Sequence, residues 1–268
     1  MGEREAVDRV DDPVTVSSLT TDLQELGVQA GDTLLVHASL SALGWVAGGA
    51  PAVVDALQAA VTDDGTLVVP THTGQYSDPA AWSNPPVPDD WVETVRDERP
   101  AYRPEITPTR AVGAIPECFR TYPGTVRSRH PIYSFAAWGE DADEIVADHS
   151  FDYGLGDDSP LGAVYDRGGR VLMLGTDYDT NTSLHLAEHR ANFPKTVVNA
   201  EVPILRNGER TFVECTDIET RTDDFEAVGG AFESQTDVRT GTVGAADATL
   251  LDQQSLVDFA TAWFGKHR

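Results

Sequence analysis

Cysteine, lysine and long apolar runs are all scarce in this chain of 268 residues. The two cysteines, Cys118 and Cys215, are too few for a disulfide framework or a thiolate zinc site, and neither belongs to a C-x-x-C pair. No apolar run approaches the roughly 20 residues that a membrane helix needs, and no apolar signal core follows the charged N-terminus. These absences predict a soluble protein of the reducing cytoplasm.

Acidic residues outnumber basic ones by more than two to one. The chain has 44 Asp and Glu against 19 Lys and Arg, a formal net charge of −25, and its only lysines are Lys195 and Lys266. Such a surface repels nucleic acid and anionic membranes, so neither is expected as a partner. The acidic residues are spread along the whole chain, as in proteins of salt-loving microbes. A cationic substrate would also suit this charge, but a globally hydrated surface is the favoured explanation.

The order of the apolar segments predicts an α/β fold. An apolar strand at 33–38 precedes a glycine-rich loop at 39–49, a helix at 51–61 and a second strand at 66–70, which together form a βαβ unit. Asn207-Gly208 stands between two apolar runs and predicts an antiparallel hairpin added to a mainly parallel sheet. Because no linker is visible, a single domain is expected over residues 1–268, with 1–14 polar and flexible.

The residues at 175–189, here called the central segment, are the strongest candidate for chemistry. They follow an apolar strand at 170–174, and Asn181 or Thr182 can cap a helix that carries His185. Ligands gather at the carboxyl ends of strands in open α/β sheets, which places His185 at the expected site edge. An imidazole braced by a carboxylate is a suitable general base. Asp179 is the predicted brace, and a second acid is expected from residues 216–219.

Two other interpretations use nearby residues. The sequence H-x-x-E-H at 185–189 matches the pattern of inverted zinc peptidases, but it needs a third ligand, for which His149 is the best candidate. The basic stretch at 127–130 is unusual in so acidic a chain. It predicts either an anion site, such as one for a phosphate, or a cluster of salt bridges with neighbouring carboxylates.

Several motifs together resemble the aminoglycoside N(3)-acetyltransferase family, and the match is colinear over nearly the whole chain. The matching residues are V-H-A-S-L at 36–40, Leu43-Gly44, Gly48-Gly49, L-V-V-P-T-H-T at 67–73, R-H-P at 129–131 with Ser134, Ser159-Pro160, and residues 179–188.

The resemblance implies a three-layer α/β/α sandwich and direct acetyl transfer from acetyl-CoA to the 3-amino group of a 2-deoxystreptamine aminoglycoside or a related amine. It implies no metal, and a homodimer is left open. His185 matches the catalytic histidine and Asp179 the aspartate that orients it, while Glu188 becomes a helper near the site. The third acid lies downstream of the hairpin turn, with Glu219 favoured over Asp217 and Asp224. The residues that match contacts to the CoA arm are Ser39, Leu40, Val46, Gly48, Gly49 and Thr71.

The function that follows is an N-acetyltransferase involved in antibiotic resistance. A zinc-dependent hydrolase that uses residues 185–189, and a protein that binds CoA without turnover, are the alternatives.

Overall fold

A computed structural model describes residues 3–268 of the chain. In this part of the chain the main sheet has seven strands, in the spatial order β3-β4-β2-β1-β5-β9-β8. The strands are β1 (Thr33–Ala38), β2 (Thr66–Pro70), β3 (Val126–Arg127), β4 (Phe135–Gly139), β5 (Arg170–Leu174), β6 (Val197–Arg206), β7 (Glu209–Ile218), β8 (Arg239–Val243) and β9 (Ala246–Asp252).

Parallel pairing is confined to the centre of the sheet. β1 pairs in parallel with β2 on one side and with β5 on the other. The outer strands pair antiparallel, β4 with β2 and β9 with β5. The predicted parallel core is therefore confirmed, and the sheet as a whole is mixed.

Helices cover both faces of this sheet, which confirms the predicted three-layer arrangement. β1 shows the reason, because Leu34 and Val36 pack into the core beneath one layer while Leu35 packs into the core beneath the other. The helices are α1 (Glu3–Val7), α2 (Val16–Leu26), α3 (Ala50–Val61), α4 (Val92–Glu98), α5 (Ala114–Phe119), α6 (Ala142–Ala147), α7 (Pro160–Asp166), α8 (Ser183–Arg190), α9 (Phe225–Glu233) and α10 (Gln253–His267). The first layer contains α2, α3 and α5, and the second contains α6 to α10.

The predicted hairpin is formed by β6 and β7. Asn207 (φ 54°) and Gly208 (φ 82°) both have positive φ, as a two-residue turn between twisted strands requires. The hairpin closes over the long segment at 71–109, where the Tyr102 amide donates to the Pro203 carbonyl at 2.8 Å. Val202 and Cys215 pack with tyrosines of that segment in a third apolar cluster. The hairpin thus covers a segment that lies beside the main sheet.

The chain before β1 contains more structure than its polarity suggests. Glu3–Val7 is helical, and buried Val14 forms a parallel bridge opposite Val46. The Val14 amide donates to the Trp45 carbonyl at 3.0 Å, and its carbonyl accepts from the Ala47 amide at 2.8 Å. Met1 and Gly2, which were also expected to be flexible, lie outside the described residues. No helix within residues 3–268 is long and apolar enough to cross a membrane.

Candidate active site

The central segment leaves β5 through a tight turn at Gly175. Its φ is 60°, and a Cβ atom built there would lie 2.1 Å from Cβ of Ala42 in the loop after β1. Only glycine fits so close an approach. The segment then makes one 3-10 turn, and the side-chain oxygen of Asn181 accepts from the Ser183 amide at 3.0 Å at the start of α8. Asn181 is therefore the capping residue of the two that the sequence offered.

His185 lies one turn into α8, with 13% of its side chain exposed. Its Nδ1 hydrogen-bonds the carboxylate of Glu188, three residues later on the same helix face. An ionised carboxylate only accepts, so Nδ1 carries the hydrogen and Nε2 presents a lone pair. Phe225 packs against the ring with centroids 5.0 Å apart. Among residues 3–268, Nε2 has no hydrogen-bond partner.

Glu188 is held in its ionised form by several donors. Its side chain is only 1% exposed, and Oε1 accepts from the Arg268 guanidinium and from the Arg221 amide at 3.1 Å. Burial alone would raise the pKa of Glu188, but the bonds from His185, Arg268 and Arg221 outweigh it and leave the pKa below its usual value. Arg268 also binds both carboxylate oxygens of Asp224. The result is a continuous chain of contacts from Asp224 through Arg268 and Glu188 to His185.

The carboxylate bonded to His185 is that of Glu188 and not that of Asp179, the predicted brace. Asp179 is exposed, and its amide, not its carboxylate, is bonded, donating to Glu226 at 2.8 Å. Its carboxylate makes no hydrogen bond with His185 in the described part of the chain. The short turn that contains Asp179 points this side chain to the surface, whereas helical spacing places Glu188 directly beside the imidazole.

Glu219, the favoured third acid, makes no hydrogen bond with His185 or Glu188 within the described residues. It is exposed at the end of β7, and its amide donates to the Thr196 carbonyl at 2.9 Å. Asp224, the less favoured candidate, reaches the site through Arg268. Asp217 is buried 3.3 Å from Nε2 of His189, and burial raises its pKa to about 6.

A cavity of about 280 Å³, here called the inner cavity, opens where β1, β2 and the central segment meet. His37 and His72 line it, and burial lowers the pKa of each to about 3. Both imidazoles are therefore neutral at physiological pH. The other lining residues include Ala38, Val112, Thr176, Asp179, Thr180 and Thr182.

A second cavity of about 440 Å³, here called the outer groove, is lined by residues that neighbour those of the inner cavity in sequence. Ala38 and Val112 line the inner cavity, and the next residues, Ser39 and Gly113, line the outer groove. Of the residues predicted to contact CoA, Ser39, Leu40, Val46 and Gly49 line this groove. Gly48 lies in the same loop, exposed and with a φ of 96°, but is not among the lining residues.

Thr71, also predicted to contact CoA, is not among the residues that line this groove. It is fully buried, and its hydroxyl donates to the Ser134 carbonyl at 3.1 Å and accepts from Arg127 Nε at 3.1 Å. The remaining N–H groups of Arg127 donate to backbone carbonyls, including those of Thr107 (2.6 Å) and Pro104 (3.0 Å). These bonds give Arg127 a structural role, because it ties loops together, and within the described residues it pairs with no carboxylate.

The zinc interpretation lacks its third ligand. Nδ1 of His149 lies 2.9 Å from the Ser128 hydroxyl and Nε2 lies 2.7 Å from the Gly154 carbonyl, so both ring nitrogens are engaged. Within the described residues, no group of three His, Cys, Asp or Glu side chains has the arrangement of a metal site. The second histidine of the pattern, His189, instead faces Asp217.

A third cavity, the acidic cleft, lies beside the later turns of α8 and has a volume of about 630 Å³. His189 lines it, one helical turn beyond His185. Three carboxylates, those of Asp152, Asp157 and Asp158, line it together with Lys195, and Asp157 is also paired with Arg190 at 2.7 Å. His185 thus stands on a helix that borders the inner cavity at its start and the acidic cleft farther along.

Known proteins share both the sequence and the fold. Residues 35–265 match the family model described as aminoglycoside 3-N-acetyltransferase. The SPbeta prophage-derived aminoglycoside N(3')-acetyltransferase-like protein YokD of Bacillus subtilis is 46% identical over 94% of this chain and 93% of its own. A crystal structure of YokD superimposes with a TM-score of 0.94 at 44% identity, covering 97% of each chain.

Two further relatives carry functional descriptions. Aminoglycoside N(3)-acetyltransferase VII of Streptomyces paromomycinus is 40% identical over 98% of this chain and 96% of its own. A structure of AAC-IIIb in binary complex with CoASH matches with a TM-score of 0.86 at 33% identity, covering 96% of this chain and 98% of that one. With a family model spanning most of the sequence and relatives aligned almost end to end, this chain belongs to the aminoglycoside 3-N-acetyltransferase family.

Proposed function

We propose that the protein is an acetyl-CoA-dependent N-acetyltransferase that acylates the 3-amino group of a 2-deoxystreptamine aminoglycoside or a related amine. The observation that carries this proposal is His185, whose Nδ1 is held by Glu188 while Nε2 makes no hydrogen bond within residues 3–268. The names of the relatives and the CoASH bound to AAC-IIIb support the two substrates.

Acetyl-CoA enters through the outer groove in this proposal. The pantetheine arm lies along Ser39, Leu40, Val46 and Gly49, and the thioester reaches the inner cavity, whose lining residues neighbour those of the groove in sequence. The neutral imidazoles of His37 and His72, which line that cavity, suit an uncharged thioester.

The amine approaches from the acidic side of α8. The carboxylates of the acidic cleft attract a polycation, and exposed Asp179 at the rim of the inner cavity adds another negative charge. Asp179 therefore keeps a proposed role as a binding group for the amine instead of a brace for His185. The two substrates then meet near His185.

In the proposed reaction, the amine nitrogen attacks the thioester carbonyl carbon. The new C–N bond forms as the C–S bond breaks, His185 Nε2 removes the proton from the amine, and that proton can pass to the departing CoA sulfur. Glu188 stabilises the imidazolium ion that forms in between, so no covalent enzyme intermediate is needed.

A thiol-release assay with acetyl-CoA and a panel of aminoglycosides and simpler amines tests this function. His185→Ala and His185→Gln are expected to lower kcat/KM by at least ~10², a typical contribution of general base catalysis. His267→Gln is the matched control, because its exposed ring lies on α10 outside the proposed site. Full turnover in either His185 variant would overturn the proposed role of this residue.

Two outcomes would favour other functions. Calorimetric binding of CoA without thiol release from any amine would indicate a CoA-binding protein. Stoichiometric zinc in the purified protein, with activity lost on chelation, would favour a metallohydrolase.

A further inference from the structure

The side chain of Arg268 is buried against the proposed catalytic pair. Only 3% of it is exposed, although it carries a full positive charge. Arg268 lies outside residues 35–265, the part of the chain that the family model matches. Its contact with Glu188 spans 80 positions of sequence.

Each edge of the guanidinium has a partner. Nη1 donates to Glu188 Oε1, and Nε donates to Asp224 Oδ2 at 2.8 Å. Nη2 donates to Asp224 Oδ1 and to the Arg221 carbonyl at 3.2 Å. The flat face lies over the Phe264 ring, 4.0 Å from its centroid. The position of the guanidinium is therefore fixed both in its plane and perpendicular to it.

This arrangement determines which oxygen of Glu188 is free for His185. Arg268 and the Arg221 amide occupy Oε1, so Oε2 is left for the imidazole. A buried carboxylate without its arginine would be costly to keep ionised. If it were protonated, it could no longer serve purely as an acceptor for Nδ1–H.

We infer that Arg268, anchored by Asp224, is a positioning residue for acetyl transfer: it keeps Glu188 ionised and turned so that His185 presents Nε2 as a base. This inference rests on the proposed function. Arg268 touches neither substrate in this scheme and acts only through Glu188.

Several other titratable groups contribute to the field at Glu188. Besides His185 and Arg268, these groups are Asp224, Tyr133, His189, Lys195 and Asp217. Of the cations among them, Arg268 alone donates a side-chain hydrogen bond to the Glu188 carboxylate. Its removal therefore affects the ionisation of Glu188 more than the loss of Lys195 would.

Arg268→Gln tests the inference through the pH profile of kcat/KM. We expect kcat to fall by roughly 10- to 100-fold, with the acid limb displaced to higher pH because Glu188 then protonates more readily. KM for acetyl-CoA should stay constant, because the outer groove is untouched. Arg268→Lys should restore part of the rate and part of the acid limb, since it returns the charge without the bidentate fork.

Lys266→Gln is the matched control, an exposed cation two residues away that should change neither rate nor profile. If Arg268→Gln does not fold by circular dichroism, Asp224→Asn is measured instead. It loosens the anchor but keeps Arg268, so a smaller fall in kcat is expected, without displacement of the acid limb to higher pH because a neighbouring negative charge is also lost. Wild-type rate and pH profile in the folded variant would overturn the inference. A different result, turnover retained by His185→Ala, would reject the proposed function itself.

Discussion

Replacing Glu188 by glutamine tests the proposed catalytic pair most directly, because the substitution keeps the shape of the side chain. Oε1 receives two donors, from Arg268 and from the Arg221 amide at 3.1 Å, whereas Oε2 faces His185 alone. Glutamine has a single side-chain oxygen, and this oxygen will accept the hydrogen bonds from these two donors. The amide NH₂ group must then face the imidazole.

That orientation reverses the tautomer of His185. An NH₂ donor requires a lone pair on Nδ1, which moves the ring hydrogen to Nε2, the atom that has to accept the proton of the amine. Loss of the base corresponds to roughly 10²- to 10⁴-fold in kcat/KM, or about 3–5 kcal/mol in transition-state stabilisation. The contacts at Oε1 survive in this variant. Stability should therefore fall by only about 1–3 kcal/mol, the range for a lost hydrogen bond to a charged group.

Thiol release from acetyl-CoA, measured across pH, gives the rate effect, and urea unfolding gives the stability effect. Glu219→Gln is the control, because this exposed carboxylate makes no contact with His185. We expect it to behave as the wild type. A Glu188→Gln variant with wild-type turnover would refute the argument from the tautomer. So would a Glu219→Gln variant that loses activity to the same degree.

Three further predictions concern the rest of the chain. The protein carries a net charge of −25, so its free energy of unfolding should increase when KCl rises from about 0.1 to 1 M, because the screening length for repulsion between carboxylates falls from about 10 Å to about 3 Å. Urea titrations at both salt concentrations check this, and equal midpoints would contradict it. Burial lowers the pKa of His37 to about 3 and of His149 to about 4. Below pH 6.5 the unfolded chain therefore binds protons at these histidines that the folded chain does not bind. The free energy of unfolding should therefore drop between pH 7 and 5, by on the order of 2 kcal/mol per histidine. Asp217 partly offsets this drop, because its raised pKa of about 6 stabilises the folded state as the pH falls. Urea unfolding across this pH range measures the change, and a flat profile would argue against it. Gly175→Ala should lower the melting temperature and activity together, because its Cβ would lie 2.1 Å from that of Ala42; calorimetry and the thiol assay measure both, and unchanged values would show that the turn can relax.

Local sequence patterns predicted most of the secondary structure, since these patterns act over a few residues. Strands β1, β2 and β5 have the predicted bounds, and the Asn207-Gly208 turn joins β6 to β7. β9 (Ala246–Asp252) was missed, because acidic residues interrupt its apolar pattern and its pairing with both β5 and β8 is a long-range property.

The sequence by itself determined that His185 lies near the start of a helix at the carboxyl end of a strand. It also contained the signal for Glu188, three positions further along the same helix, although Asp179 was preferred as the brace. Only the tertiary structure decided that Thr71 is buried beneath Arg127 and that Arg268 joins Asp224 to Glu188. Spacing along a helix is fixed by the local backbone. A contact across 80 positions depends on how α8, α9 and α10 pack, and no local pattern encodes that packing.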